Sequence, residues 1–336
     1  MNILLTSQGQ NPLMIRFFKK ALNGNGKIFA SNSKMTSTLL HADEYVLTPL
    51  IYDPSYIDFL IDYSISKNIT AILSWYDIDL PILAKNKDRF RKHNITVVLS
   101  DESVIQLCND KWKTHLFLKE LNLKQPQTYV DLELIKEDLR SGMMQFPVFM
   151  KPRWGEGSVG IFQADTFEEI DILYEKILRI IFSTHLKYQA LEDKTRCVIM
   201  QERLYGKEYG LCVFNDLQGN YIATIPKTKT EMQEGETIVS IVDSSTPFEY
   251  TGKTISQNLK HIGNIGVDCF ITQSGDVVVI EINPRFAAHY PFAHLAGADF
   301  PKQIVEWLDG KSTSKNYIDY EAGVKGYKDL SLVIRI

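Results

Sequence analysis

Cysteine is scarce and scattered in this sequence. The 336 residues hold four, Cys108, Cys197, Cys212 and Cys269, with no CxxC pair and no Cys/His spacing. That excludes a disulfide scaffold and a structural zinc site, and it fits reduced thiols in a cytoplasm. Long hydrophobic runs are missing as well: no stretch of about 18 apolar residues occurs, and the opening MNILLTSQGQ lacks the basic and apolar regions of an export signal, so neither a membrane nor secretion is expected. Neither sign of charge is in large excess. A net charge of −4 leaves no electrostatic footprint for nucleic acid. The first apolar segment runs into Leu5-Thr6-Ser7-Gln8-Gly9, whose single glycine gives weak support for a dinucleotide fingerprint. What remains is ordinary for a globular chain, 44% apolar and 23% charged, and long enough for two domains or one large α/β unit with lobes.

The first hundred residues alternate short apolar runs with helical patterns: strands near residues 2–6, 27–30, 45–47, 70–74 and 95–99, helices near 11–22, 54–67 and 78–93. This rhythm predicts a parallel, Rossmann-like sheet covered on both faces. A helical pattern over 101–121 places a domain boundary near residue 105. Beyond it come a strand at 147–152, a glycine-rich stretch, a strand at 161–164, and a helix at 166–182 opened by a Thr166/Glu169 capping box. Strands are expected at 198–204, 210–215, 221–226, 266–272 and 277–282. A last helix follows Asp299 and stops at Gly310. Residues 183–196 read as a loop, 311–329 as a loosely held tail, and 330–336 as an added strand.

Chemistry concentrates in a hairpin, residues 267–272 and 277–285, turned at Gln273-Ser274-Gly275-Asp276. A two-residue Ser274-Gly275 turn, or a four-residue loop, sets Asp268 opposite Glu281. Glu281 and Asn283, two apart, leave the same strand face. Two carboxylates facing each other on apolar strands repel and resist desolvation, and a divalent cation relieves both problems. Asp268, Glu281 and Asn283 therefore read as an oxygen ligand set for Mg²⁺, with Mn²⁺ as a substitute. Arg285 follows on the same face as a clamp for a phosphoryl group; the bland alternative is a salt bridge to Glu281 or Asp268. His289 and His294 come next, either as contacts to an acidic substrate or as packed side chains.

A second group runs from Phe146 to Gly160. Gly155, Gly157 and Gly160 fit GxGxxG literally, but a strand follows where a dinucleotide fold needs a helix. A strand, glycine loop and strand make a flap whose backbone N–H groups can close over phosphates, with Lys151 at its base. A third group, Gln201-Glu202-Arg203-Leu204 leading to Glu208, offers a strand end for a base and a carboxylate for a ribose. Lys227 and Lys229 are either cationic cover for that site or a solvated face.

Together with Asn109-Asp110-Lys111, the motifs Pro147 to Pro152, Gly155 to Gly160, Gln201-Glu202, Gly206 to Tyr209, Asp268 and Ile280 to Arg285 resemble the ATP-grasp family, in particular the synthetase halves of carbamoyl-phosphate synthase large subunits and single-unit proteins like them. The resemblance covers roughly residues 1–310. It implies a pre-ATP-grasp Rossmann-like domain (1–105), an ATP-grasp domain (106–310) with a lid of about 111–197 and a metal-binding part of about 198–310, and a tail (311–336). It further implies Lys111 and Lys151 on ATP phosphates beneath a lid containing Gly155, Gly157, Ser158 and Gly160. Glu202 and Leu204 would offer backbone to adenine and Glu208 would hold the ribose. Mg²⁺ would sit on Asp268, Glu281 and Asn283, with Arg285 and Lys151 as the catalytic pair. The activity implied is an ADP-forming ligase that joins a small carboxylate to an amine, or a thiol, through an acyl phosphate; a kinase or a non-catalytic ATP-binding module is the alternative. Partners are small molecules, with a homodimer compatible. The residues after Arg285 depart from the family pattern, and the length is short for paired synthetase halves, so carbamoyl phosphate synthesis is not expected. Residues 6–10 and 74–79 are expected to line the acceptor side.

Overall fold

A computed structural model describes every residue except 10, 156, 158, 234–235 and 330–336. Ser158 and the strand expected at 330–336 therefore lie outside the described residues. The first lobe is a five-stranded parallel sheet, β1 (Ile3–Leu5), β2 (Ile28–Asn32), β3 (Glu44–Leu47), β4 (Ala71–Leu73) and β5 (Thr96–Val97), in the order β3-β2-β1-β4-β5. Helices α1 (Leu13–Leu22), α2 (Tyr56–Ser66), α3 (Asp79–Lys85) and α4 (Lys87–Arg91) connect its strands. The single helix expected over 78–93 is thus two, parted at Asn86. The helix expected over 101–121 is also two, α5 (Glu102–Asn109) and α6 (Lys111–Glu120). Asp110 leaves the helical region there and turns its carboxylate back to cap the N–H groups of Trp112 and Lys113.

The lid carries a four-stranded sheet in the order β6-β9-β7-β8, from β6 (Thr128–Tyr129), β7 (Val148–Pro152), β8 (Phe162–Ala164) and β9 (Val198–Glu202). Helices α7 (Leu132–Ser141) and α8 (Phe167–Ser183) accompany it, and the capping box of Thr166 and Glu169 is formed. A short helix, α9 (Lys187–Ala190), occupies the stretch expected as loop. Lid and body part later than residue 111, because Leu118 and Leu123 pack into the core of the large sheet.

That sheet is antiparallel, in the order β14-β13-β10-β11-β12-β15. Its strands are β10 (Gly206–Asn215), β11 (Tyr221–Gln233), β12 (Glu236–Val242), β13 (Asn264–Thr272), β14 (Val277–Asn283) and β15 (Lys325–Tyr327). Helices α10 (Glu249–Leu259), α11 (Tyr290–Leu295) and α12 (Phe300–Leu308) complete it. The tail is not loose through 311–329: β15 pairs with β12, and Glu321 N–H donates to Ala296 O at 2.8 Å. Pattern reading passed over β12 because Glu236, Thr237 and Ser240 break its apolar run, and over α10 because its exposed half is polar.

Alternation along β10 sends Tyr209, Leu211 and Val213 into one core with α5, α6 and α10, while Cys212 and Phe214 enter another. That second core is shared with the first lobe: Ile3, Leu5, Met14 and Phe18 meet Tyr290, Phe300 and Ile304. The boundary near residue 105 cuts through a common helix, since Ile105 packs in the first lobe and Cys108 against the large sheet. First lobe and large sheet are one body, and the lid keeps a separate core. Phe300→Ala should therefore cost about 3–5 kcal/mol. Urea unfolding followed by Trp75 fluorescence should show the first lobe destabilised along with the large sheet.

Candidate active site

A cavity of about 600 Å³ opens between the lid, the large sheet and the edge of the first lobe. Its floor is one face of β10, β11, β13 and β14. Pairing sets Lys227, Gly210, Asp268 and Glu281 in one cross-strand row. The next row toward the lid holds Lys229, Glu208 and Phe270.

Asp268 does stand opposite Glu281, but not for the reason the turn predicted. The loop is three residues, 273–275, with Gly275 at φ +81 and its N–H on Thr272 O, which shifts the register by one. A β-bulge between Asp268 and Cys269, with Ile280 as the extra residue of β14, shifts it back. The two departures cancel, and Asn283 follows opposite Gly266.

Charge balance in the floor is tight. Lys229, 8% exposed at its side chain, lies 2.7 Å from Glu208 Oε1 and 2.9 Å from Asp268 Oδ1. Burial opposes its charge, yet Asp268 and Glu208 raise its pKa above the ordinary lysine value. Burial also raises the Asp268 pKa, opposed chiefly by Lys229 and reinforced by Glu281. Glu281 goes the other way: burial is outweighed by Lys111 and Lys151, by the Asn283 hydrogen bond and by Lys229, which hold it down at about 2. Lys151, at the end of β7, is pulled down to about 8 by burial and by Lys111, against Glu281, Asp268 and Glu208. Two ionisable carboxylates and an amide on one strand pair, facing a cavity with cations at its rim, suit a hard oxygen-seeking cation such as Mg²⁺ that takes its other ligands from phosphates. No closed cluster of three or more His, Cys, Asp or Glu side chains is found among the described residues, so the protein alone would leave such an ion partly open.

Above the floor, Lys111 Nζ donates to Gly155 O at 2.7 Å, fixing the glycine loop to the start of α6. Gly155 and Gly160 have φ of +114 and +74, and a Cβ at Gly155 would meet the Leu186 side chain at 2.8 Å, so this loop needs glycine there. Arg153 joins Asp110 at 2.7 and 2.8 Å and Asp193 at 3.0 Å, bracing the loop from behind. Glu202 accepts the Gln127 N–H at 2.7 Å, and with Leu204, Phe149, Ile161, Phe270 and Ile280 it lines the apolar end of the cavity.

Arg285 lies where the chain bends after Asn283. Its guanidinium grips Asp77 of the first lobe bidentately, Nε to Oδ1 at 2.7 Å and Nη2 to Oδ2 at 2.6 Å, and also reaches Asn283 Oδ1 at 3.3 Å. Among the described residues its salt bridge is therefore to Asp77, not to Glu281 or Asp268. The end of the cavity expected to take the acceptor is lined by Asn11, Met14 and Trp75 of the first lobe. The hydroxyls of Thr6, Ser7 and Ser74 turn instead to buried Asp79, joined by Tyr56 OH at 2.8 Å. His289 lines the cavity; His294 stacks on Phe17 and contacts Tyr290 OH at 3.2 Å. Lys227 is fully buried.

Of the two alternatives for Lys229, cationic cover beside Glu208 is the one the structure has, whereas the Asp77–Arg285 and Arg153–Asp110 pairs were missed. The β10–β11 register would have found Lys229 opposite Glu208; Asp77, 208 residues from Arg285, has no local signal.

With this geometry in place, the comparisons are consistent. The model of the ATP-grasp domain matches residues 108–289, and that of the PylC-like N-terminal domain matches residues 3–98. The chain belongs to the ATP-grasp family. It is 29% identical over 273 residues to carbamoyl-phosphate synthase of Methanobrevibacter smithii, covering 76% of this chain and 68% of that protein. It is 23% identical over 324 residues to the carbamoyl phosphate synthase large chain of Helicobacter pylori, covering 91% of this chain but only 28% of that one. The L-amino acid ligase of Bacillus licheniformis shares the fold, with a TM-score of 0.72 at 17% identity over 98% of this chain and 81% of that one. No helix among the described residues is long and apolar enough to cross a membrane.

Asp77→Asn should remove the bidentate ion pair that ties the Arg285 guanidinium to the first lobe and cost about 1.5–3 kcal/mol. Urea denaturation of the single variants and the double Asp77→Asn/Arg285→Gln variant should show strong coupling.

Proposed function

We propose that the protein is an ADP-forming ligase that activates a small carboxylate as its acyl phosphate with MgATP and transfers the acyl group to an amine. The observation that carries this reading is the cross-strand row of Asp268 and Glu281, with Asn283 beside it and Lys111 and Lys151 facing them across a cavity of nucleotide size.

In this reading adenine takes the apolar end beside Phe149, Leu204 and Ile280, with the backbone at Glu202 and Leu204 as its polar partner. Glu208, on Lys229 without nucleotide, turns to the ribose. Lys111, Lys151 and the loop of Gly155, Gly157 and Gly160 hold the phosphates. Mg²⁺, or Mn²⁺ in its place, supplies charge neutralisation on the phosphate oxygens when bound to Asp268, Glu281 and Asn283. A carboxylate oxygen attacks the γ-phosphorus and the bond to the bridging oxygen breaks, releasing ADP. The amine then attacks the acyl carbon, phosphate leaves, and the amine gives up a proton. Arg285 stands at the junction of metal strand and acceptor end, where it can stabilise the transferring group. No enzyme nucleophile is required, because positioning and charge suffice for in-line transfer. The cavity admits small molecules, and a cytoplasmic setting agrees with four buried thiols.

Hydroxylamine trapping across a panel of carboxylates tests the reading: hydroxamate with ADP release is expected. ADP formation with a phosphorylated alcohol and no hydroxamate would identify a kinase. Glu281→Gln should abolish Mg²⁺-dependent turnover while leaving the melting temperature near that of the wild type.

Lys151 gives a pH dependence. Its pKa of about 8 in the free protein means the ammonium is present below that pH and lost above it. Affinity for MgATP should be flat below pH 7.5 and weaken toward tenfold per pH unit above about 8. Calorimetric titration should show this fall, and Lys151→Met should flatten the profile at weak affinity.

A further inference from the structure

His289 is a buried polar group of the cavity that this mechanism does not use. Only 4% exposed, it sits at the start of α11 with its ring laid over Gly210, where a Cβ would fall 2.5 Å from Nε2. Gly210 thus seats the imidazole beside the row of Asp268 and Glu281. Nε2 has no hydrogen-bond partner among the described residues and stands 3.7 Å from Asp268 Oδ1.

Behind the ring runs a buried chain of donors. Lys227 Nζ, fully enclosed, donates to Ile225 O at 2.8 Å and to Cys212 Sγ at 3.0 Å. Cys212 Sγ lies 3.9 Å from His289 Nδ1, within the reach of sulfur. Burial raises the Cys212 pKa above the ordinary thiol value, so the sulfur keeps its proton beside Lys227. The sulfur, already accepting from Lys227, has its own proton to give, and the acceptor beside it is Nδ1. An imidazole that accepts at Nδ1 carries its hydrogen on Nε2.

We propose that His289 is a substrate-contacting residue whose Nε2–H donates to an oxygen of the carboxyl group being activated, with Cys212 and Lys227 as positioning residues that set this tautomer. The identity of the acceptor as a carboxyl rests on the ligase reading; the tautomer does not. A fixed, buried donor at the acyl oxygen favours the charge that develops as the amine attacks. It also explains why Gly210 and Gly266 are side-chain-free: Gly266 makes the matching room for Ala287, whose Cβ would lie 2.5 Å from a side chain there.

Nitrogen-15 histidine labelling of the full chain tests this, with His289→Gln used for assignment. The Nε2–H tautomer is expected for His289; the Nδ1–H tautomer would overturn the proposal. Formate serves as the smallest carboxylate probe, added with MgADP at about 0.1 M, where a contact of millimolar affinity is saturated. The Nε2–H resonance should shift, and an unmoved resonance would overturn the donor role. Cys212→Ala should mix the tautomers and Cys212→Ser restore the single form; an unchanged tautomer in Cys212→Ala would remove Cys212 and Lys227 from the chain. With a carboxylate that yields hydroxamate, His289→Leu should lower kcat/KM for that acid about 100-fold. The KM for ATP should stay within about twofold, and His289→Gln should retain most activity. Equal loss in both variants would mean the ring only fills space. If wild type yields no hydroxamate with any acid, the ligase reading fails while the tautomer result stands.

Discussion

Two carboxylates held face to face on neighbouring strands govern this molecule. Asp268 and Glu281 share one cross-strand row in a sheet whose other face is core, and neither can remain charged there without cations nearby. The protein supplies Lys229 to the first and Lys111 and Lys151 to the second. These cations come from β11, the start of α6 and the lid, so the electrostatic demand of one strand pair draws three distant segments together. Under the proposed function, the same arrangement would let an incoming nucleotide and its metal replace interactions already in place.

The fold was legible where periodicity and capping agree, as in the parallel lobe and in the helix opened by Thr166 and Glu169. It was illegible where a polar residue does backbone work. Asp110 breaks one apparent helix into two by capping the second, and Asn86 parts another. Both continue a helical pattern in the sequence, and only the geometry of the chain separates them.

The candidate site was legible in part for a similar reason. Motifs carried by a single strand or loop, such as Glu281 to Arg285 or Lys151 with its glycines, can be read locally. Groups that meet through tertiary pairing cannot: Asp77 reaches Arg285, and Lys227 reaches Cys212, only because sheets and lobes bring them together. The pairing of Asp268 with Glu281 was anticipated from a tight turn, yet it arises from a longer loop offset by a bulge. Register followed from the burial of the two acids and their neighbours more than from turn chemistry.

The core that joins the first lobe to α11 and α12 has a consequence for how the chain reaches this state. During synthesis, Met14 and Phe18 of α1 leave the ribosome nearly three hundred residues before Phe300 and Ile304, which cover them. Until then the nascent amino-terminal sheet has a raw apolar flank. Closing that flank is therefore a late step, the docking of α12, sealed by Lys302 Nζ donating to Ala21 O at 3.1 Å. A chain stalled before residue 300 would be left as a client for chaperones.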